Sequence, residues 1–341
     1  MKMRLSVVRV CLLLALVAAA ACAPAAPTVA TRQPVRLCYA AISGANIVAW
    51  YAFEKGLFQK YGLEPELSFI SGAAPVATAL VSHQVDFCTS AGSNIVNSVA
   101  AGQDMVMIEG FYDRMLFNLV VGPSVQKPED LIGKAIAIGA AQSVKETAAR
   151  VALKHLGLDA DTQITFTPFR ANDEPAMAAA VESGSAAGAI LAPPLLGAYR
   201  AAGLRVLLDI STVDSFYLRL GLGTTRSFIK DHRDIALAMV KVTLDSIASM
   251  KQDPAGTQAV LAKYLKLDPT ADKEALAEAY DIFVVRYLAS EPKISEAGLQ
   301  AVMDEATLTN PAAASVKIEQ LMDPSLLQEV EDSGFNPAPT P

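Results

Sequence analysis

The chain has 341 residues, of which 52% are hydrophobic and 18% charged, a composition typical of globular proteins and not of disordered or fibrous ones. This length exceeds the roughly 250–300 residues at which one hydrophobic core usually stops growing, so we expect two lobes. The net charge is −7 and no segment is rich in Lys and Arg. Nucleic acid is therefore excluded as an expected partner, because its binding draws affinity from clustered cations.

The N-terminal segment predicts export. Three basic residues precede an apolar run at residues 10–21 that is too short to span a bilayer, which is typical of a secretory signal over residues 1–21. Cys22 follows the alanines at 19–21 and resembles the lipidated cysteine of bacterial lipoproteins. Cleavage within the alanines without lipidation is the alternative. Residues 22–34, rich in Pro and Ala, predict an extended linker that holds a folded protein at the outer face of the cell membrane.

The rest of the chain alternates between predicted strands and helices. Strands are predicted at 35–39, 66–70, 86–89, 105–109, 136–139, 164–169, 187–191 and 206–210, with helices at 46–55, 71–82, 92–101, 144–156 and 176–182 between them. This alternation predicts an α/β fold with parallel sheets covered by helices. Residues 216–222 are expected to carry the chain back to the first lobe, and helical spacing dominates from 234 to 308.

The predicted division is a first lobe of residues 35–120 plus 222–335, a second lobe of 121–221, and a Pro-rich tail at 336–341. Hinges are expected near 118–122 and 220–224, where glycines allow backbone rotation.

Four sequence motifs identify a family resemblance. They are AFEKGLF at 52–58, YGLEPEL at 61–67, ALVSHQVDF at 79–87 and KPEDLIGK at 127–134. In this order and spacing they resemble bacterial periplasmic binding proteins for sulfonate, nitrate and taurine, with binders of thiamine-pyrimidine precursors as close kin. The resemblance implies a type II periplasmic binding fold, two lobes that close on a small molecule, and delivery to the permease and ATPase of an ABC importer.

Candidate ligand-binding residues lie on loops that follow predicted strands, where helix N-termini offer unpaired N–H groups. These residues are Ser43, Asn46, Gly72, Ala73, Ser90, Ala91, Gln142 and Ser143. For Ser43 and Asn46 the alternative is a helix-capping role. Ala192 and Pro193 stand where the family has a bulky aromatic residue and an acid, so we expect one wall of the cleft to be wider or less charged.

Aromatic residues are more numerous than arginines in the expected cleft. The only arginines in its loops are Arg114 and Arg170. Trp50, on the first predicted helix, and Tyr112, at a strand end, are therefore expected to stack on a flat ligand; core packing is the alternative for Trp50. The favoured hypothesis is a binding lipoprotein for a planar aromatic heterocycle of the riboflavin or thiamine-pyrimidine type. The alternative is a sulfonate, taurine or nitrate binding protein, and a sensory binding protein fits the same sequence.

An enzyme of the pyrimidine-synthase type, which resembles the same family and consumes its own histidine, is a remote alternative. None of the three histidines, His83, His155 and His232, lies beside a plausible base, so we expect no catalysis. No cofactor or metal is expected either, because Cys38 and Cys88 lack metal-ligand spacing and are interpreted as buried thiols. A disulfide is the alternative, although neighbouring parallel strands seldom give the required geometry. A monomer is expected, since transport needs both rims of the cleft free.

Overall fold

Two five-stranded sheets organise the part of the chain that the computed structural model describes, residues 32–139, 143–170, 173–194, 197–214 and 216–337. Sheet A has the strand order β2-β1-β3-β10-β4, and sheet B the order β7-β6-β8-β5-β9. The strands are β1 Gln33–Tyr39, β2 Leu63–Phe69, β3 Phe87–Ser90, β4 Val106–Tyr112, β5 Asn118–Val121, β6 Ala135–Ile138, β7 Thr165–Pro168, β8 Gly188–Leu191, β9 Arg205–Asp209 and β10 Leu220–Thr224. The expected α/β fold with two lobes, each built on one sheet, is confirmed.

One strand in each sheet runs against the others, so the prediction of purely parallel sheets is wrong. β10 is antiparallel to β3 and β4, and β5 is antiparallel to β8 and β9. Each is the first strand after the chain crosses from one sheet to the other. Two parallel strands need a crossover connection, usually a helix, that brings the chain back to the edge of the sheet where the first strand began. The described residues contain no such helix at these two crossings.

The stretches predicted as hinges lie inside these two strands. A Cβ atom placed on Gly221 would lie 2.1 Å from the carbonyl oxygen of Glu109. This glycine therefore allows β10 to lie close to β4. The chain crosses between the sheets at residues 113–117 and 213–219. The residue boundaries of the two lobes stay a prediction. The predicted linker ends earlier than expected, because β1 already begins at Gln33 and pairs with β2 there.

Helices cover the sheets and form most of the C-terminal third. They are α1 Ile47–Glu54, α2 Leu57–Lys60, α3 Ala73–Val81, α4 Gly92–Ala100, α5 Val144–His155, α6 Glu174–Glu182, α7 Gly197–Ala201, α8 Arg226–Asp231, α9 Arg233–Gln252, α10 Pro254–Leu265, α11 Lys273–Tyr280, α12 Glu296–Thr309, α13 Ile318–Leu321 and α14 Ser325–Asp332. A π-helical segment, Asp281–Arg286, follows α11, and 3-10 turns occur at Gly44–Asn46, Pro128–Leu131, Ile210–Thr212 and Pro311–Ser315. Within the described residues, none of these helices combines the length and apolarity needed to cross a membrane.

Side-chain oxygens satisfy the first N–H groups of several helices, as the sequence pattern of Asp, Ser and Thr before helical runs requires. Asp173 accepts a hydrogen bond from the Ala176 N–H and so caps α6. The corresponding caps of α8, α10 and α12 are Thr225, Asp253 and Ser295.

The apolar core joins the two lobes. One cluster packs α1 and α9 against one face of sheet A. A second cluster contains Cys88 and Met107 of sheet A together with Leu119 and Ile138 of sheet B. Because this cluster includes buried side chains from both sheets, the lobes share packed apolar surface at their junction and meet as neighbours in one folded unit.

A disulfide bond joins Cys38 and Cys88, so the interpretation of these residues as free thiols is wrong. Cys38 in β1 and Cys88 in β3 are direct register partners, and their Cα atoms are 4.4 Å apart. That separation lies within the range that a disulfide spans. The exact register of the two strands, which the sequence does not reveal, is what brings the sulfur atoms together.

We predict that loss of this bond lowers the free energy of unfolding by up to about 4 kcal/mol, because the bond closes a long loop in the unfolded chain. The two cysteines are 50 residues apart. Urea unfolding of the wild type with and without reductant measures the effect. The variant Cys38→Ala/Cys88→Ala is the control and should be insensitive to reductant. Equal wild-type midpoints in the two conditions would contradict the prediction.

Glu109 is a buried acid on β4, the last strand in the order of sheet A, with no solvent exposure. Both of its carboxyl oxygens lie 2.7–2.8 Å from the hydroxyl of Thr243, which is also 2.7 Å from the Val240 carbonyl oxygen. A hydroxyl has one hydrogen to donate. A protonated Glu109 that donates to Thr243, while Thr243 donates to Val240, satisfies the group. Burial accordingly raises the pKa of Glu109 to about 8.

We predict that Glu109 makes stability fall as the pH rises from its ordinary pKa of 4.5 towards 8. The unfolded chain releases this proton near the lower value and the folded chain near the higher one, so folding takes up a proton in between. The slope is about 1.4 kcal/mol per pH unit at most. Glu109→Gln should remove this component and raise the free energy of unfolding at pH 8, measured by urea unfolding.

The exposed Glu129 gives a matched control, because Glu129→Gln should leave the wild-type pH dependence unchanged. An effect of Glu109→Gln that is the same at pH 5 and pH 8 would show that the proton is not involved.

Candidate functional site

A cavity of about 200 Å³ opens between the loops that follow β1 in sheet A and β8 in sheet B. The ends of strands in neighbouring sheets are where α/β proteins hold ligands. Its lining is mostly apolar, with one carboxylate and one phenol: Ile42, Ser43, Gly44, Glu174, Pro175, Ala192, Pro193, Pro194, Tyr199, Leu265 and Leu267. Three residues predicted from sequence, Ser43, Ala192 and Pro193, are thus brought together here.

The loop before α1, which supplies Ser43 and Gly44 to the cavity, is fixed by its own side chains. Asn46 donates to the Ala41 carbonyl oxygen at 2.8 Å and accepts a hydrogen bond from the Thr89 hydroxyl at 2.6 Å. Asn46 is almost fully buried, so it holds the loop against β3. Ser43 accepts from the N–H of Ala45 and caps the short 3-10 turn.

A close contact supports this loop from behind. A Cβ atom on Gly44 would lie 2.3 Å from a ring carbon of Phe283, in the π-helical segment. Tyr112 is fully buried, and its hydroxyl donates to the Phe283 carbonyl oxygen at 2.7 Å. Burial raises the pKa of this phenol. The structure therefore places Tyr112 behind the cleft, where it fixes the segment that carries Phe283.

Trp50 also lies in the core and outside the cavity lining. It has no solvent exposure, stacks on Tyr264 with ring centres 4.6 Å apart, and meets Tyr39 edge to face at 5.5 Å. In this arrangement the Trp50 ring is not offered to a ligand, so the expected stacking of Trp50 on a ligand is not supported. Trp50 therefore takes the core position that was its alternative. Nearly all residues of α1 are buried, and Trp50 is one of them.

The other predicted residues are spread around the strand ends. Gly72 and Ala73 are exposed at the start of α3, outside the cavity lining. Ser90 is buried and accepts a hydrogen bond from the Asn94 side chain at 2.9 Å, and Ala91 precedes α4. Gln142 and Cys22 lie outside the described residues. The structure does not collect these positions into one site.

Ser143 is a predicted site residue with an unsatisfied hydroxyl. Its Oγ is buried and has no hydrogen-bond partner among the described residues, and it does not cap α5. Lys145 follows two residues later in the same helical turn.

An ion pair across the cavity wall was missed by the sequence interpretation. The ammonium of Lys145, which is only 8% exposed, lies 2.5 Å from an oxygen of Glu174, and the Ala192 N–H donates to that same oxygen at 3.1 Å. A cation in the first turn of a helix is unfavourable next to the helix dipole. A lysine at this position in the sequence was therefore a signal that a carboxylate lies opposite it, and the structure identifies that carboxylate as Glu174.

Arg219 is the second missed residue, in the crossing segment directly before β10. Its Nε is buried without a hydrogen-bond partner, and its guanidinium lies 5.0 Å from the ring centre of Phe117. Burial lowers the pKa of Arg219, whereas Tyr217 and Glu174 oppose that shift. Glu174, which lines the cavity, thus interacts electrostatically with Arg219, although Arg219 itself is not part of the cavity lining. The signal in the sequence was a lone charge within the apolar run 216–222.

The two cations near Glu174 differ in their pairing. Lys145 forms an ion pair with Glu174, whereas Arg219 makes no ion pair within the described part of the chain. A partly buried cation without a carboxylate is costly, and a bound anion offsets that cost. The cavity itself offers apolar walls of proline and leucine, with the carboxylate of Glu174 as the one charged group of its described lining.

Comparison with solved structures defines the class of protein to which the fold belongs. The chain has the type II periplasmic binding protein fold, shared with the periplasmic aliphatic sulphonate binding protein SsuA from Escherichia coli (TM-score 0.65, 19% identity, 87% of this chain and 99% of that one). It also resembles the alkanesulfonate-binding protein SsuA from Xanthomonas axonopodis pv. citri bound to MOPS (TM-score 0.60, 17% identity, 84% and 95%). A third similar structure is a cysteine-to-serine variant of DszB in complex with biphenyl-2-sulfinic acid (TM-score 0.66, 14% identity, 89% and 99%).

The amino-acid sequence identifies the family. Residues 46–257, more than half of the chain, match the family described as NMT1/THI5 like, and the chain belongs to that family. The search of curated protein sequences finds no match.

We predict that Gly44→Ala lowers the free energy of unfolding by about 1–3 kcal/mol, the typical cost of inserting a methyl group into packed space. The new Cβ would meet the Phe283 ring at 2.3 Å. Gly197→Ala is the matched control, because among the described residues beyond its own helix and chain neighbours no heavy atom lies within 4 Å of its Cβ position. Thermal unfolding compares the two variants, and equal melting temperatures would argue against the Gly44–Phe283 contact.

Proposed function

We propose that the protein is the extracytoplasmic substrate-binding protein of an ABC importer, and that it captures a small organic anion of the sulfonate type. The observation that carries this proposal is the mostly apolar cavity whose wall residue Glu174 interacts electrostatically with Arg219, a cation that makes no ion pair within the described chain. Two of the similar structures are named as sulfonate-binding proteins, which supports the same ligand class.

The chemistry of the cavity suits such a ligand. A guanidinium presents planar N–H donors that match the oxygens of an oxyanion, and the bond between two charged groups is stronger than a neutral one. The unpartnered Ser143 hydroxyl, beside Lys145 at the start of α5, is a further donor for an oxygen of the ligand. Ile42, Pro193 and Leu267 offer apolar surface to the carbon part of the molecule.

A planar heterocycle of the riboflavin or thiamine-pyrimidine type is the second candidate. It is favoured by Tyr199, whose ring lies in the cavity wall among apolar residues. The two aromatic residues expected to stack on it, Trp50 and Tyr112, are fully buried in the core. The sulfonate-type anion is therefore the better-supported ligand.

Binding without chemical conversion is part of the proposal. His83, His155 and His232 are exposed and do not line the cavity, so a histidine is not offered to a ligand there. The described residues contain no cluster of His, Cys, Asp and Glu suited to a metal ion. Similar structures include binding proteins as well as DszB.

Delivery to a permease and its ATPase, and action as a monomer, are proposed from the binding-protein fold. The secretory signal at 1–21 and the lipid anchor at Cys22 lie outside the described residues and are proposed from sequence. Such an anchor would hold the protein at the outer face of the membrane, next to its importer.

We predict that Arg219→Met weakens anion binding and leaves folding intact. Thermal unfolding and calorimetric titration are measured with alkanesulfonates, taurine, nitrate, riboflavin and thiamine-type pyrimidines. A ligand at a hundredfold excess over its Kd should stabilise the wild type by about 2.7 kcal/mol. Arg219→Met should raise the Kd for the sulfonate by about 30-fold or more, because a buried charge pair is lost.

Arg233→Met is the matched control, because Arg233 pairs with Glu329 on the surface. Its Kd should equal that of the wild type. Stabilisation by riboflavin or a pyrimidine alone would favour the second candidate, and unchanged sulfonate affinity in Arg219→Met would remove Arg219 from the site.

A further inference from the structure

We infer that Glu174 is a specificity-determining residue: its carboxylate accepts a hydrogen bond from a hydroxyl or another neutral donor on the carbon part of the bound anion. This inference rests on the proposed function, because it takes the sulfonate-type anion as given and adds what the remainder of that molecule must carry.

The carboxylate of Glu174 belongs to the cavity wall. Glu174 is the only charged residue in the described lining, and its side chain is 28% exposed. It is the first residue of α6, and Asp173 caps the start of that helix. The group therefore has a fixed backbone position and an exposed surface at the cavity.

Only one of the two carboxylate oxygens is engaged. Oε1 accepts from the Lys145 ammonium at 2.5 Å and from the Ala192 N–H at 3.1 Å, whereas Oε2 has no hydrogen-bond partner among the described residues. A ligand that displaces water from this oxygen without offering a donor leaves a charged acceptor unsatisfied, which is strongly unfavourable. The wall therefore favours a ligand that carries a donor.

The donor that fits best is a neutral one. Lys145 is only 8% exposed and already neutralises the charge of Glu174, so a second cation is not needed. The rest of the lining is mostly apolar, and an ammonium placed against it loses far more hydration free energy than a hydroxyl does. A hydroxyl that donates to a carboxylate still forms a charge-assisted bond, about twice as strong as one between neutral groups.

The other polar side chains of the described lining do not select for a donor. They are the hydroxyls of Ser43 and Tyr199. A hydroxyl both donates and accepts, so these two residues tolerate either kind of group on a ligand. The carboxylate of Glu174 can only accept, and the selection for a donor therefore comes from Glu174.

The test uses three ligands of matched size, 3-hydroxypropanesulfonate, butanesulfonate and 3-aminopropanesulfonate, which end in a hydroxyl, a methyl and an ammonium group. The corresponding set 5-hydroxypentanesulfonate, hexanesulfonate and 5-aminopentanesulfonate has a longer reach. Calorimetric titration of the purified protein at neutral pH gives the Kd values. Glu174→Gln keeps one oxygen for Lys145 and Ala192 and replaces the other with an amide NH2. Glu182→Gln, at the exposed far end of the same helix, is the matched control.

In the set whose length fits, the wild type should bind the hydroxyl ligand about tenfold more tightly than the methyl ligand, and more tightly than the ammonium ligand. Glu174→Gln should reduce the ratio of the hydroxyl and methyl Kd values by about threefold or more, and Glu182→Gln should not change it. A purely structural role of Glu174 would weaken both ligands equally and leave the ratio unchanged. Lys145→Gln/Glu174→Gln also removes the unpaired ammonium, so it reports the same ratio where the single variant folds poorly.

Equal wild-type Kd values for the hydroxyl and methyl ligands in both sets, or a ratio that Glu174→Gln does not move, would overturn the inference and leave the sulfonate-type ligand in place. Tightest binding of the ammonium ligand would also overturn it, because the donor would then be a cation. Wild-type protein that binds none of these sulfonates would overturn the proposed ligand class and this inference with it.

Discussion

A partly buried cation without an ion pair in the described chain, Arg219, lies at the junction of the two sheets. The backbone N–H of Arg219 donates to the Tyr112 carbonyl oxygen at 2.8 Å, and its guanidinium lies over the Phe117 ring. The backbone bond therefore fixes where the Arg219 side chain leaves the main chain, directly before β10. Because desolvation of a cation is unfavourable, such a position is most stable when an anion is bound.

Residues behind the cleft hold its walls. The Tyr112 hydroxyl fixes the segment that carries Phe283, and Phe283 packs on Gly44 in the cavity loop. Arg286 of the same segment reaches Asp209 of sheet B at 3.6 Å. The segment Asp281–Arg286 thus contacts the loop of one lobe and a strand end of the other, which links the shape of the cavity to the approach of the two lobes.

A second polar junction lies between helices of the two lobes. Glu305 on α12 accepts hydrogen bonds from the Thr147 hydroxyl on α5 and from the Tyr217 hydroxyl, each at 2.5 Å. Arg200 on α7 pairs with Glu278 on α11. Thr147, Arg200 and their two acidic partners are at least partly exposed, whereas Tyr217 is almost fully buried. Polar side chains therefore join helices of the two lobes both at the surface and inside the molecule.

The element positions follow from local pattern, and the strand directions do not. The predicted strands at 35–39 and 187–191 overlap β1 and β8, because apolar runs bounded by turn residues are a property of the local sequence. β5 and β10 run antiparallel because of where the chain crosses between sheets, which no local pattern contains. The Cys38–Cys88 bond depends likewise on strand register.

The sequence by itself determined the fold class, the family motifs and the loops at the strand ends, because these rest on hydrophobic periodicity and short motifs. It also predicted Ser43, Ala192 and Pro193, which line the cavity in loops that follow strands. Only the tertiary structure decided that Trp50 and Tyr112 are buried and that Lys145 pairs with Glu174. These two charges lie 29 residues apart in the chain, and their pairing depends on how helices α5 and α6 are placed on sheet B.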